Sequence, residues 1–109
     1  MIKKNFNFSS SDGVQIIQLS NRTRYWLNQL TIAKAIGGAL SSGDTLKVEV
    51  RPFGLDEADP WEELEGADAV DLDKTTSFVF NGLISAIRLT PSGNPSGNTT
   101  SYKVVYLGQ

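Results

Sequence analysis

The chain has 109 residues, 39% of them hydrophobic and 20% charged, as expected for one soluble globular domain over residues 1–109. Its net charge is −2, and it contains no histidine and no cysteine, which excludes disulfides, thiol chemistry and the commonest zinc ligands. No apolar run approaches the ~20 residues that a transmembrane helix needs, so we expect no membrane partner.

The charged residues are unevenly distributed along the chain. Residues 1–51 contain seven basic and three acidic residues, whereas residues 52–109 contain three basic and nine acidic residues. All nine acidic residues of the second part lie between Asp56 and Asp73. The main interpretation is a solvated acidic loop, and the alternative is a polar contact between copies of the chain. A basic surface with stacking aromatic residues is missing, so we expect no nucleic-acid partner.

The beginning of the chain predicts two strands. Met1–Phe8 has basic residues but lacks the apolar region of a signal peptide, and we interpret it as a first strand. Val14–Leu19 follows a turn and is a second strand. The adjacent Ile16 and Ile17 leave the register of this strand open, because only one of them can face a core.

Residues 25–39 fit both a strand and a helix. Leu27, Leu30 and Ala33 follow a helix-like spacing, but the glycine pair at 37 and 38 disfavours a long helix. We favour a long strand here, with a helix as the alternative.

Thr45–Arg51 is the clearest strand of the chain. Three apolar residues alternate in it with Lys47, Glu49 and Arg51. This alternation predicts one buried face and one face in solvent, as in an antiparallel sheet. We expect Arg88, in a later strand, to face solvent or to pair with Glu49 across the sheet.

The second part of the chain adds strand candidates separated by turn residues. They are Trp61–Gly66, Ala69–Leu72, Phe78–Gly82, Leu83–Thr90 and Ser101–Leu107. The last three are predicted to be consecutive antiparallel strands, with residues 91–100 as a hairpin tip. Seven or eight strands at this spacing predict an all-β fold, a single antiparallel β-sandwich that is jelly-roll-like.

The sequence shows no recognisable catalytic motif. It has no G-x-S-x-G elbow and no phosphate-binding glycine pattern. Acidic residues from Asp56 to Glu65 could in principle form a catalytic pair, but they are more typical of a solvated loop. Asp56, Glu57 and Asp59 could bind calcium, although the calcium-loop pattern is absent. We therefore expect no catalytic residue, no metal, no cofactor and no enzymatic activity.

Aromatic residues are the main candidates for a contact surface. Most aromatic side chains pack in a core, but in so small a domain some can form a subunit interface or stack on a sugar ring. Trp61 follows Asp59-Pro60 in a polar loop and is the best candidate for exposure. The predicted interface residues are Phe6, Phe8, Tyr25, Trp26, Phe53, Trp61 and Arg88.

Several stretches together resemble a known class of protein. They are Leu46–Gly54, Trp61–Leu64, Ile84–Gly93 and the Tyr-x-Val-x-Tyr strand that begins at Tyr102. This arrangement resembles the small β-sandwich structural proteins of tailed-phage virions. The resemblance implies a capsid decoration (cement) protein that binds the major capsid protein or other virion subunits as a homo-oligomer. It also implies synthesis in the host cytoplasm and a final location on the capsid surface of the virion.

Two alternatives accompany this resemblance. The same class of protein includes small neck and tail components of the virion. In addition, Ala86–Pro91 is similar to the penultimate strand of galactose-binding-type jelly rolls, which implies a carbohydrate-binding module.

Overall fold

The computed structural model describes residues 2–9, 12–19, 26–34, 45–53, 60–72, 74–92 and 101–109. Within these residues the chain forms nine strands and no α-helix, which confirms the predicted all-β fold. The strands are β1 (Ile2–Ser9), β2 (Gln15–Gln18), β3 (Leu27–Lys34), β4 (Thr45–Pro52), β5 (Glu62–Glu63), β6 (Val70–Asp71), β7 (Thr76–Asn81), β8 (Ile84–Pro91) and β9 (Ser101–Gly108).

The strands form two antiparallel sheets that pack as a sandwich. The first sheet has the order β1-β9-β3-β7, and the second has the order β2-β8-β4-β5 with β6 also paired to β4. β5 lies beside Glu49 and Val50 of β4, and β6 lies beside Thr45 and Leu46, so the two short strands form one interrupted edge. Counted as one strand, they complete the strand order of a jelly roll, as predicted.

The predicted hairpin over residues 91–100 is wrong. β8 pairs with β2 and β4 in the second sheet, whereas β9 pairs with β1 and β3 in the first. β7 likewise pairs with β3 and not with β8. Strand propensity identifies each segment, but the partner of a strand is decided by how the two sheets pack. Residues 93–100 lie outside the described residues.

The core lies between the sheets and is formed by alternate residues of the long strands. Ile17 is 3% exposed and Ile16 is 48% exposed, so Ile17 is the residue of β2 that faces the core. Each fully buried aliphatic side chain contributes roughly 1.5–3 kcal/mol. The fully buried side chains include Leu30, Ile32, Leu46, Val48, Leu72, Ile87, Leu89, Tyr102 and Val104.

Residues 27–34, which fitted both a strand and a helix, form β3. The strand lies between β9 and β7, and its buried residues Asn28, Leu30 and Ile32 alternate with less buried ones. Hydrogen bonds to strands on both sides outweigh the helix-like spacing of a few apolar residues. The favoured strand is confirmed for these residues, and residues 35–39 lie outside the described part of the chain.

Candidate functional site

Three exposed apolar residues lie at the end of the sandwich where β7 is followed by β8. Trp26 is 63% exposed, Phe53 42% and Leu83 37%. The Gly82 N–H donates to the Trp26 carbonyl at 2.8 Å, and the Phe53 N–H donates to the Leu83 carbonyl at 2.9 Å. These bonds hold residues from both sheets at the same end of the molecule. We call the surface formed by Trp26, Phe53 and Leu83 the apolar end.

A buried polar group holds the backbone of the apolar end in place. Asn28 is 0% exposed, and its Nδ2 donates to the Gly82 carbonyl at 2.8 Å. Its Oδ1 accepts a hydrogen bond from the Tyr106 hydroxyl at 2.5 Å. Both polar ends of this buried amide are therefore used, as a stable buried polar group requires.

Gly82 allows the tight connection between β7 and β8. Its φ is +126°, a backbone conformation that glycine adopts readily and other residues rarely do. Apart from Gly82 and its two chain neighbours, no described residue has an atom within 4 Å of the position that a Cβ would take, so the requirement for glycine comes from the backbone conformation.

A cleft of about 310 Å³ lies next to the apolar end. Exposed Glu62, Glu63 and Glu65 contribute to its wall. The other lining residues are Val50, Pro52, Leu64, Phe80, Asn81, Gly82, Leu83 and Ile84. A partner that contacts the apolar end therefore also meets negative charge on the side of β5.

The outer face of the second sheet carries a network of charged side chains. Arg88 donates from Nε and Nη2 to Glu49 Oε1 at 3.0 and 2.8 Å, which confirms the predicted cross-strand pair. Lys47 Nζ lies 4.0 Å from a carboxylate oxygen of Glu49 and of Glu63. The Arg51 and Arg88 guanidinium carbons lie 4.4 and 4.8 Å from the centre of the Trp61 ring.

This network corrects the prediction that Glu49 and Arg51 face solvent, whereas the Lys47 side chain is 43% exposed. Glu49 is 7% exposed and Arg51 is 8% exposed. The alternating pattern correctly assigns each residue of β4 to one face of the sheet. It does not show that Trp61 packs over the outer face and covers Arg51 and Arg88. Trp61 is itself half-buried, and Arg51 Nε has no hydrogen-bond partner within the described residues.

The other predicted interface residues lie elsewhere. Phe6 and Phe8 extend from β1 towards the core, with their rings stacked at 5.9 Å and Phe8 at 5.8 Å from Tyr102. Tyr25 lies outside the described residues. Of the seven candidates, Trp26 and Phe53 lie at the apolar end, whereas Arg88 packs on the Trp61 ring and Phe6 stacks on Phe8. Sequence reasoning missed Leu83, whose only signal is its place directly after the Asn-Gly pair of a turn.

Two features of the described residues bear on metal binding and ionisation: the placement of the acidic side chains and the buried hydroxyl of Tyr102. No three acidic side chains come together there in a group that could hold a metal ion, and Asp56, Glu57 and Asp59 lie outside it. The Tyr102 hydroxyl is buried and has no hydrogen-bond partner among the described residues. Burial, with a smaller effect from the charge of Asp12, raises the pKa of Tyr102 to about 12. Tyr102 therefore stays neutral at physiological pH.

Comparisons with known proteins add one structural likeness. No protein-family model matches this chain, and no curated protein does so either. No described helix is long and apolar enough to span a membrane. The chain is similar to a chain in the structure of infectious bursal disease virus, Gx strain, with 12% sequence identity and a TM-score of 0.42. The likeness covers 95% of this chain and 29% of the viral chain, so this chain spans less than a third of that protein's length.

Proposed function

We propose that this chain is a non-enzymatic structural protein of a virus particle, and specifically a capsid decoration protein. The jelly roll supports the proposal by analogy, because this topology is common in capsid proteins as well as in lectins. The resemblance of residues 46–54, 61–64 and 84–93 to virion proteins of tailed phages supports it independently of the structure. The observation that carries the proposal is the apolar end.

The apolar end has the properties of a protein contact site. Single exposed apolar residues are common on soluble proteins, whereas several at one end of a molecule are more typical of an interaction surface. Tryptophan is among the residues that most often dominate binding energy, and Trp26 is the most exposed of the three. Because Asn28 and Gly82 already fix the backbone beneath it, little conformational freedom is lost when a partner binds.

Binding to the assembled shell gives such a protein its stabilising effect. A subunit that binds the assembled capsid and not its separated subunits shifts the equilibrium towards assembly by mass action. The partner in this proposal is the major capsid protein or another virion subunit, and the chain binds as a homo-oligomer. It is made in the host cytoplasm and joins the capsid surface without a catalytic step.

The proposal is tested by co-sedimentation of the purified chain with particles of its source virus from which its gene has been deleted. We expect the chain to sediment with these particles. We expect Trp26→Ala to weaken binding about 30-fold, since a hot-spot side chain contributes about 2 kcal/mol. Ile16→Ala is the matched control, because Ile16 is also exposed but lies on β2, away from the apolar end.

The outcomes separate the proposal from its alternatives. If Trp26→Ala and Ile16→Ala reduce co-sedimentation equally, the apolar end is excluded as the contact with the particle. Electron microscopy of labelled chain on the same particles distinguishes the shell from the neck or tail. Binding to glycans on an array, abolished by Trp26→Ala and without particle binding, would replace the proposal with a carbohydrate-binding module.

A further inference from the structure

β7 is an outer strand whose composition differs from that of the other outer strands. Its six residues, Thr76–Asn81, include no charged residue and no proline. β1, at the opposite edge of the same sheet, carries Lys3 and Lys4. In the second sheet, β2 has four residues, and β5 and β6 have two each and contain acidic residues. Lysines and short lengths protect edges from pairing with another chain, and β7 has neither.

The hydrogen-bonding pattern shows which backbone groups of β7 face its outer edge. Gly82 lies opposite Trp26 in the register of β3 and β7, and its N–H donates to the Trp26 carbonyl. Residues of an antiparallel strand alternate between bonding to one side and to the other. The N–H and C=O groups of Ser77, Val79 and Asn81 therefore point away from β3. Among the described strands, none lies on that side of β7.

The outer face of the sheet next to this edge is neutral. The side chains of Ser77, Val79 and Asn81 and of the β3 residues opposite them are uncharged. Val79 is 67% exposed, the largest exposed fraction among the exposed large hydrophobic residues described, and Leu27 is 41% exposed. Two copies of this edge can therefore approach each other without repulsion between like charges and can bury apolar surface as they do so.

We propose that a second copy of this chain binds to β7, so that two β7 strands pair antiparallel about a two-fold axis with Val79 opposite Val79. Ser77 then lies opposite Asn81 of the other copy, and each of these facing pairs is a hydrogen-bonded pair. Both copies use the same surface, as a two-fold interface requires. The two four-stranded sheets become one continuous sheet of eight strands across the dimer.

This inference deepens the proposed function, because it specifies the contact within the homo-oligomer that the proposed function includes. Its test needs only the purified chain, whereas the proposed function is tested on particles. A chain that binds particles as a monomer would contradict the β7 contact and the homo-oligomer but not the decoration role. A chain that forms the β7 dimer but ignores particles would contradict the decoration role alone.

The dimer is tested first by analytical ultracentrifugation of the purified chain. We expect a species of twice the chain mass of 11.9 kDa, in equilibrium with monomer on dilution. Val79→Lys places two ammonium groups face to face at the axis and is expected to restore the monomer. Ile16→Lys makes the same kind of change on the exposed edge strand β2 and is expected to leave the dimer intact. A monomer at every soluble concentration, or equal effects of the two lysines, would overturn the proposal.

The register is tested by single cysteines, since the chain has none of its own. Hydrogen-bonded facing residues have Cα atoms ~5.5 Å apart, within the range that a disulfide spans. Val79→Cys is therefore expected to form a covalent dimer on mild oxidation. Ser77→Cys is the matched control, because the two copies of residue 77 are offset by four residues, or ~14 Å. Cross-linking through position 77 but not 79 would exclude the proposed register, and cross-linking through neither would exclude the pairing.

Discussion

Two buried tyrosines of β9 allow the same chemical change to be made in opposite environments. The Tyr106 hydroxyl donates to Asn28 Oδ1, whereas the Tyr102 hydroxyl is buried without a hydrogen-bond partner among the described residues. Tyr102 is 0% exposed and Tyr106 2% exposed, so burial is matched. Replacing either residue by phenylalanine removes one oxygen and leaves the ring in place.

The expected effects on stability differ in sign. Tyr106→Phe leaves the buried Asn28 Oδ1 without its donor, and an unsatisfied buried polar group costs about 1–3 kcal/mol. Tyr102→Phe removes a hydroxyl that already bears such a cost, so we expect it to be neutral or to stabilise the fold by up to about 1 kcal/mol. The free energies of unfolding of the two variants should therefore differ by about 1–4 kcal/mol, with about 2 kcal/mol as the central value.

Urea denaturation of the two variants and the unchanged chain measures this difference. With a denaturant slope of about 1–3 kcal/mol per molar for a small protein, the two midpoints should differ by roughly 1 M. Tyr106→Phe should have the lower midpoint. A Tyr102→Phe variant that is destabilised as much as Tyr106→Phe would refute the reasoning, since it would mean that the Tyr102 hydroxyl contributes a favourable interaction.

Three further predictions concern single groups. Because the pKa of Tyr102 is about 12 in the folded chain and about 10 unfolded, the folded chain holds this proton more tightly. The urea midpoint of the unchanged chain should therefore fall as pH rises from about 10 to 12. It should fall less in Tyr102→Phe. An equal fall in both proteins would contradict the raised pKa of Tyr102. Gly82→Ala should lower the free energy of unfolding by about 1–3 kcal/mol, measured by thermal unfolding, because a residue with a side chain is strained at the φ of +126° found here. Arg88→Leu should cost about 1–3 kcal/mol in urea denaturation, because Lys47 Nζ at 4.0 Å is then the one cation left beside the 7%-exposed Glu49 among the described residues. An unchanged midpoint would contradict this.

The strands could be predicted from the sequence because they are marked by local patterns. β4 shows clean alternation, and the pair Glu49–Arg88 follows from two charged residues in the middle of neighbouring strands. Which strands neighbour each other depends on contacts between segments distant in sequence, so local turn residues predict a hairpin between β8 and β9 although these strands lie in different sheets. For the same reason, local sequence patterns do not show that β7 is an outer strand of its sheet.

The candidate site could be predicted only in part. Trp26 and Phe53 are candidates because they are aromatic, but their position at the same end as Leu83 depends on backbone bonds between segments distant in sequence. The polar residues next to Trp61 in the sequence predict that its side chain is exposed. Its actual neighbours are Arg51 and Arg88, whose guanidinium groups pack over the ring.

The most direct test of the proposed role is the temperature at which particles of the source virus, prepared without this chain, release their genome. Adding the purified chain should raise that temperature, and adding Trp26→Ala at the same concentration should raise it less, because a subunit that binds only the assembled shell stabilises it in proportion to its affinity. Release at one and the same temperature with and without the chain would contradict a role in capsid decoration.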